Sequence, residues 1–229
     1  MRARLLESRE LALEVRHFVF ELPEVERFEF VPGQFLSFVA EIGDNPITRA
    51  YSLAAPPNAN RFELCLNRVR EGRFSPYLFD LAAGAEVQMT GPYGMFVLRR
   101  PVNDSVFVAT GTGIAPIRAI LLHHLPRELD HRFTLIFGVR YERGILYSAE
   151  FEAMARDYPN FRFWPTLSRP EPEWTGRTGH VQQHLFDAAG SRRDLDFYIC
   201  GLKAMVDDVR ALLKTSGFDR RRLVYEKYD

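Results

Sequence analysis

Cysteine is scarce: Cys65 and Cys200 are the only two among 229 residues, which excludes a disulfide framework. They sit in separate apolar runs, so a reducing, cytoplasmic setting is expected. An excess of one charge is lacking too, since 30 Lys and Arg balance 30 Asp and Glu. A general nucleic-acid binder, held by counterion release, needs a basic excess, and no nucleic-acid partner is expected. No apolar stretch approaches the roughly 18 residues of a membrane span. Met1 to Glu10 alternates Arg and Glu with Leu and holds no apolar signal core, so neither export nor a membrane partner is expected. The six histidines show no ligand spacing, His123-His124 falling at a helix end as a surface or capping pair. With no cysteine-rich signature beside them, neither a metal site nor an integral iron-sulfur cluster is expected.

What remains is an ordinary globular composition, 46% hydrophobic and 26% charged, enough to bury a large core. At about 150 residues per domain the length suits two domains. Aromatics reach 13%, with 19 Phe; well-filled β structure and contact with a planar ligand both account for them.

Up to about residue 100 the chain reads as short strands. Leu11 to Leu22 alternates, Gln34 to Ile42 is apolar after the Pro32-Gly33 turn, and Arg61 to Val69 alternates through Phe62, Leu64 and Leu66. A short helix is expected from Ser75 to Leu81, with Ser75 as cap and Pro76 in its first position, before Ala85 to Met89 resumes as strand. This is the pattern of a small antiparallel barrel. From Ser105 onward strand and helix alternate: Val106 to Ala109, Ala115 to Leu125, Phe133 to Phe137, Glu150 to Arg156, Phe161 to Thr166, Val181 to Ala188, Phe197 to Ile199 and Lys203 to Lys214. Such alternation implies right-handed crossovers and a parallel sheet. Arg99 to Asp104 separates the two rhythms, which gives domains at 1–100 and 101–229.

Ala109-Thr110-Gly111-Thr112-Gly113-Ile114-Ala115-Pro116 lies between an apolar strand and a helix. Its glycines allow a sharp turn and a close approach of backbone to ligand, and the free amides at the helix start favour an anion such as pyrophosphate. Pro116 stands where the dinucleotide fingerprint has its third glycine, so the usual Rossmann pattern is not met; an ordinary strand-to-helix connection has the same look. Arg49-Ala50-Tyr51-Ser52 offers a cation, an aromatic face and a hydroxyl. On a strand Arg49 and Tyr51 share one side and Ser52 faces the other. A twist or a strand end is needed to bring all three onto one phosphate-bearing aromatic ligand. A solvated arginine beside a core tyrosine is the other reading.

In their order along nearly the whole chain, seven segments resemble the ferredoxin-NADP reductase superfamily. They are Pro32-Gly33-Gln34-Phe35, Arg49-Ala50-Tyr51-Ser52, Gly72-Arg73-Phe74-Ser75, Gly91-Pro92-Tyr93-Gly94, Thr110 to Pro116, Cys200-Gly201-Leu202-Lys203 and Glu226-Lys227-Tyr228. The resemblance implies an FAD-binding antiparallel β-barrel followed by an α/β nicotinamide-nucleotide domain with a parallel sheet, hydride passing between the two rings at their interface. It implies that Arg49 binds the FAD phosphates, Tyr51 stacks on the isoalloxazine and Ser52 lies by the hydride-accepting N5, with Ala50 between them. Gly72, Arg73, Phe74 and Ser75 match the second flavin segment, whose amides and Ser75 hydroxyl hold the pyrophosphate. Capping and phosphate binding are compatible roles for Ser75, and the segment favours FAD over FMN. Asn67 and Val69, just before it, are grouped with the cofactor-binding residues.

Thr112, Gly113, Gly201 and Leu202 are implied to contact the nicotinamide nucleotide at the carboxyl ends of the parallel strands. Cys200 matches the cysteine that approaches the nicotinamide carbon, with a small buried hydrophobe as the plainer alternative. Glu226 matches a glutamate that orders the site with Ser52 and Cys200. Tyr228 matches the aromatic that covers the exposed flavin face and moves aside for nicotinamide. Ser52, Cys200, Glu226 and Tyr228 are thus the implied catalytic set. Asp229 extends the chain one residue past the tyrosine ending usual in plant-type members.

Ser168-Arg169 resembles the Ser-Arg pair of NADPH-using members, and Arg177 offers a second charge for bidentate phosphate recognition. The adenine-stacking tyrosine of many NADP enzymes has no match in Arg177-Thr178-Gly179-His180. NADPH is the expected coenzyme and NADH the alternative. Arg220-Arg221-Arg222, Arg192-Arg193, Arg99-Arg100, and Arg68 with Arg70 and Arg73 read as solvated faces or as docking surface for an acidic ferredoxin or flavodoxin. The expected activity is hydride transfer between NADPH and FAD, with single electrons passing to or from ferredoxin, flavodoxin or another redox protein, by a monomer. The alternatives are an NADH-fed reductase component of an oxygenase and a non-catalytic flavin- and nucleotide-binding subunit of a larger complex.

Overall fold

Alternating large apolar residues wrap the first half of the chain around a phenylalanine core. The computed structural model describes residues 1–43 and 46–228; Asp229 lies outside them. Strands β1 (Arg2–Ala12), β2 (Val15–Glu21), β3 (Phe35–Glu41), β4 (Pro46–Ser52), β5 (Arg61–Asn67) and β6 (Glu86–Tyr93) form an antiparallel sheet in the order β4-β3-β6-β1-β2-β5. A bridge between Leu53 and Leu64 brings the chain leaving β4 onto β5 and closes the barrel. Inside, Phe20 stacks on Phe62 with centroids 5.4 Å apart and meets Phe38 edge-on at 5.2 Å. Each such pair adds about 0.5–1.5 kcal/mol beyond its burial.

Two of these strands are hidden on both sides. Phe18 and Phe20 of β2, like Phe62, Leu64 and Leu66 of β5, face the barrel interior. His17 and Cys65 point the opposite way and are buried beneath the second half of the chain.

Short α1 (Phe74–Phe79) precedes β6, and the second half follows as β7 (Ser105–Thr110), α2 (Ile114–His124), β8 (Phe133–Val139), α3 (Ser148–Asp157), β9 (Phe161–Leu167), β10 (Arg177–Thr178), α4 (Leu185–Ala189), β11 (Asp196–Leu202), α5 (Lys203–Thr215) and β12 (Leu223–Tyr228). Its sheet is parallel throughout, in the order β10-β9-β8-β7-β11-β12. The central strands β7 and β11 are apolar along almost their whole length because helices cover both faces. The chain runs outward from β7 to β10 and then returns to β11, so the strand order reverses between β7 and β11. Open parallel sheets bind ligands at such a switch point.

Several sequence expectations are corrected here. The run Leu11 to Leu22 is not one strand: it turns at Leu13-Glu14, where Glu14 takes φ +60°, and β1 reaches back to Arg2. Ser75 does not cap α1; Arg73 holds that position and no side chain bonds there. Pro76 still fits, since its missing N–H costs nothing anywhere in the first turn. Val181 to Ala188 is a 3-10 turn followed by only five α-helical residues. His124 is buried rather than superficial, and its Nδ1 has no partner among the described residues. Strand β12 had no separate signal, and it places Glu226 beside Cys200 and Tyr228 beside Leu202.

Candidate active site

A cleft of about 740 Å³ opens where the barrel meets the parallel sheet, a size typical of small-molecule sites. The end of β4 supplies Arg49, Ala50, Tyr51 and Ser52; the end of β5 and the loop after it supply Cys65, Leu66, Asn67, Val69, Gly72 and Arg73. Phe74 and Ser75 open α1, Phe35 comes from β3, Thr112 precedes α2, and β12 brings Glu226, Lys227 and Tyr228. Ser52 joins Arg49 and Tyr51 on one wall because it is the last residue of β4, where the chain bends toward the Leu53 bridge.

The wall has one flat aromatic face and a cationic rim. Tyr51 lies 6.1 Å from Phe38 and 6.1 Å from Phe74, centroid to centroid, and burial pushes its hydroxyl pKa up. Arg49 is exposed, and among the described residues its guanidinium bonds only the neighbouring Thr48 carbonyl, at 2.8 Å. Arg73 reaches the Ile42 carbonyl. Ser75 Oγ accepts from the Val69 N–H at 2.9 Å, which pins the loop between β5 and α1 and leaves the serine proton free to donate. A flat aromatic flank, loose guanidinium and free hydroxyl form a donor set that fits the ring and phosphates of FAD.

Across the mouth of the cleft runs a chain of hydroxyls joining the two halves. Tyr228 Oη donates to Ser52 Oγ at 2.7 Å, and Ser52 Oγ donates to Glu226 Oε1 at 2.8 Å. Burial raises the Glu226 pKa, opposed by the Ser52 hydrogen bond. Burial, reinforced by the Glu226 charge, holds the Cys200 thiol well above its ordinary pKa, and burial does the same for Tyr228. Cys200 and Tyr228 are therefore neutral near pH 7, and Glu226 is the one acid of the cluster.

Cys200, Gly113, Gly201, Leu202, Ser168, Arg169 and Arg177 are not part of the cleft wall. Apart from Arg177 they follow the carboxyl edge of the parallel sheet. A β-carbon at Gly113 would strike the Cys200 carbonyl, so the start of α2 and the end of β11 are in direct contact. Gly201 takes φ +145° beside Thr110, whose buried hydroxyl has no partner among the described residues. The Arg169 side chain has no hydrogen-bond or ion-pair partner among the described residues, whereas Arg177 is committed. Its guanidinium lies 3.8 Å from the Trp164 ring centroid and 3.2 Å from Asp187. Sequence reasoning missed Phe35, Cys65, Leu66 and Lys227; Phe35 stood inside a quoted segment, and Leu66 looked like core.

Residues 2–98 match the oxidoreductase FAD-binding domain family and residues 107–211 the oxidoreductase NAD-binding domain family. Ferredoxin-NADP reductase B of Sorangium cellulosum is 38% identical over 237 residues, covering 99% of this chain and 97% of that protein. One component of the Na(+)-translocating NADH-quinone reductase of Klebsiella pneumoniae is 30% identical over 226 residues, covering 91% of this chain but 55% of that component. Among solved structures, the Amycolatopsis cytochrome P450 reductase GcoB superposes with a TM-score of 0.90 at 31% identity, over 99% of this chain and 69% of that one.

Proposed function

The chain belongs to the ferredoxin-NADP reductase superfamily, and from that premise we propose that its cleft holds FAD against Tyr51 while its parallel sheet brings NADPH to Ser52 and Cys200. It is an FAD-dependent oxidoreductase that uses a nicotinamide nucleotide. We assign residues 1–100 to the flavin and 101–229 to the nucleotide. The observation that carries this reading is the hydroxyl chain from Tyr228 through Ser52 to Glu226, which joins the two halves at the mouth of the cleft.

FAD, when bound, supplies the exchange between a two-electron hydride and single electrons. The residues of the chain do the rest. Arg49 and the Ser75 hydroxyl hold phosphate, and Tyr51 orients the ring. Ser52 Oγ accepts a hydrogen bond from Tyr228 and donates its own to Glu226, so a proton taken up or released at Ser52 has a path to the buried acid. The neutral Cys200 packs where the nicotinamide enters, with Thr112, Gly113, Gly201 and Leu202 around it. Tyr228 covers the site and keeps water out until the nicotinamide displaces it.

The partner is a redox protein such as ferredoxin, and ferredoxin or flavodoxin is the specific proposal, met by a monomer in the cytoplasm. Two free, buried thiols support that compartment. Among the described residues no helix is long and apolar enough to cross a membrane. Recognition of the NADPH 2'-phosphate falls to Ser168 and Arg169. One observation favours a second reading, an NADH-fed reductase of an oxygenase: Arg177 is tied to Trp164 and Asp187, leaving a single free arginine. Protein reconstituted with FAD and mixed anaerobically with NADPH should lose its flavin absorbance and regain it on adding oxidised ferredoxin. Absence of bound flavin, or no bleaching, overturns the proposal; faster bleaching by NADH than by NADPH selects the second reading.

A further inference from the structure

Away from the flavin cleft, the seam between the two halves holds another polar cluster, built around a buried arginine. Arg118 of α2 is 9% exposed. Its Nη1 donates at 2.8 Å to the Ala54 carbonyl and at 2.8 Å to Glu63 Oε2, both on the barrel side. Its Nε donates to the two oxygens of Glu150, at the start of α3, at 3.1 and 3.0 Å. The guanidinium lies 4.5 Å from the Tyr147 ring centroid. Tyr147 Oη meets His17 Nδ1 at 2.9 Å, and His17 Nε2 lies 3.5 Å from Glu63. Burial works against the charge, yet Glu150, Tyr147 and Glu63 together hold the Arg118 pKa above its ordinary value.

Ion pairs this deep add little net stability over apolar packing of the same volume, so the cluster calls for another reason. Its placement supplies one. Ala54 lies two residues beyond Ser52, and its N–H donates to the Glu63 carbonyl at 2.8 Å, so the chain leaving β4 is tied to the backbone of Glu63. On the other side, the helix bearing Arg118 starts at the Thr112-Gly113 turn, which is in contact with Cys200 and Gly201. Arg118 therefore spans from the strand end that carries Ser52 to the helix whose first residues touch Cys200.

We propose that Arg118 is a positioning residue for hydride transfer, a forked strut that fixes the nucleotide-binding turn at a set distance from the flavin-bearing strand end. This rests on the reading of the cleft as the flavin site. In that step the nicotinamide C4–H bond breaks as the flavin N5–H bond forms, both electrons travelling with the proton. Reaction needs the two atoms about 3–3.5 Å apart, and a misplacement of about 1 Å costs on the order of a hundredfold. A guanidinium fork reaches Ala54, Glu63 and Glu150 at once; the point charge of lysine cannot.

The test compares half-reactions in FAD-loaded enzyme. Arg118→Lys should bleach with saturating NADPH about a hundredfold more slowly than wild type, with FAD and NADPH affinities unchanged. At equilibrium, its charge-transfer absorbance between nicotinamide and flavin should weaken. Reoxidation of dithionite-reduced flavin by ferricyanide, which involves no nicotinamide, should keep its rate. Glu63→Gln, which loosens the barrel-side prong, should slow bleaching more than Glu150→Gln, whose partner lies in its own half. If Arg118→Lys does not fold, that ranking decides: equal effects of the two glutamines overturn the proposal. So do a wild-type bleaching rate and charge-transfer band in Arg118→Lys, or equal slowing of both half-reactions. Wild-type protein that takes up no FAD, or is not bleached by NADPH, overturns the functional reading instead.

Discussion

Two polar clusters lie on one seam, and their surroundings set them apart. Ser52, Glu226 and Tyr228 border an open cleft and consist of neutral hydroxyls ending on one acid. Around Arg118 the guanidinium, His17 and Tyr147 are packed into the seam, and the one buried positive charge meets Glu63 and Glu150, whose side chains keep 29% exposure. At the open cluster water or a ligand can replace a lost partner, so damage there shows in chemistry. At the Arg118 cluster the guanidinium itself is nearly enclosed, so its loss shows in stability. Arg118→Met, which strands two carboxylates and a carbonyl, should lower unfolding free energy by about 3–5 kcal/mol. Tyr228→Phe, which removes one hydrogen bond at the cleft, should cost about 1 kcal/mol or less. Urea denaturation at a fixed FAD concentration measures both, and equal losses erase the distinction.

Acid should find the Arg118 cluster next, through His17. Burial, with Arg118 adding to it and Glu63 opposing, pulls the His17 pKa from 6.5 down to about 4. Between those values the unfolded chain holds more protons than the folded one, so stability rises with pH. The contribution is complete above about pH 6.5 and is lost as pH falls toward 4, amounting to about 3 kcal/mol. His124, also buried and pulled down to about 4, loses stability in the same window. Glu226 runs the other way: its raised pKa stabilises the folded protein at low pH, and that share fades as pH climbs through its folded value. Urea midpoints across this range should fall on acidification, and His17→Gln should flatten the slope. An unchanged slope in that variant relocates the sensitivity to His124 or elsewhere.

The same contrast governs what can be read from the chain. The cleft cluster was legible only through the resemblance, because Ser52, Cys200, Glu226 and Tyr228 all lie in segments that match the ferredoxin-NADP reductase superfamily in order. Separation in sequence does not distinguish the two clusters, since Ser52 and Glu226 are 174 positions apart and Glu63 and Arg118 only 55; the residues of the Arg118 cluster simply fall in none of the seven segments that carry the resemblance. One signal was present, a lone arginine inside the otherwise apolar run Ile114 to Leu122. The barrel was legible because one face of most strands is polar, but the β1-β2 turn contains neither glycine nor proline and passed as strand. Strand β12, Leu-Val-Tyr-Glu-Lys-Tyr, acquires its identity only by pairing with β11. Ser75 looked like a cap because its partner, the Val69 N–H, precedes the helix it opens.

Chemistry at the open end is sharpened by Tyr228→Ser. On the proposed reading, in which the Tyr228 ring holds the place the nicotinamide takes, it competes with the coenzyme by about 0.5–1.5 kcal/mol, so its removal should tighten NADP binding by up to about tenfold. Titration of the oxidised enzyme, followed by flavin absorbance, gives the constant. Weaker binding would show that Tyr228 shapes the pocket instead of blocking it.

The smallest effect belongs to the two arginines near the far end of the parallel sheet, which repeat the contrast between free and committed charge. Arg169 is exposed and without a side-chain partner among the described residues, so it can meet a 2'-phosphate at the cost of little besides its own side-chain freedom. Exposed ion pairs of this kind are worth about 0.2–1 kcal/mol, which limits the loss of NADPH over NADH preference in Arg169→Ala to about fivefold. Arg177 must first leave the Trp164 ring and Asp187, and that existing stabilisation offsets whatever a phosphate would add. Arg177→Ala should therefore leave the ratio of kcat/KM for the two coenzymes unchanged while lowering stability slightly. A preference that collapses with Arg177 and survives the loss of Arg169 reverses the assignment, and it means the stacked guanidinium swings out when coenzyme arrives.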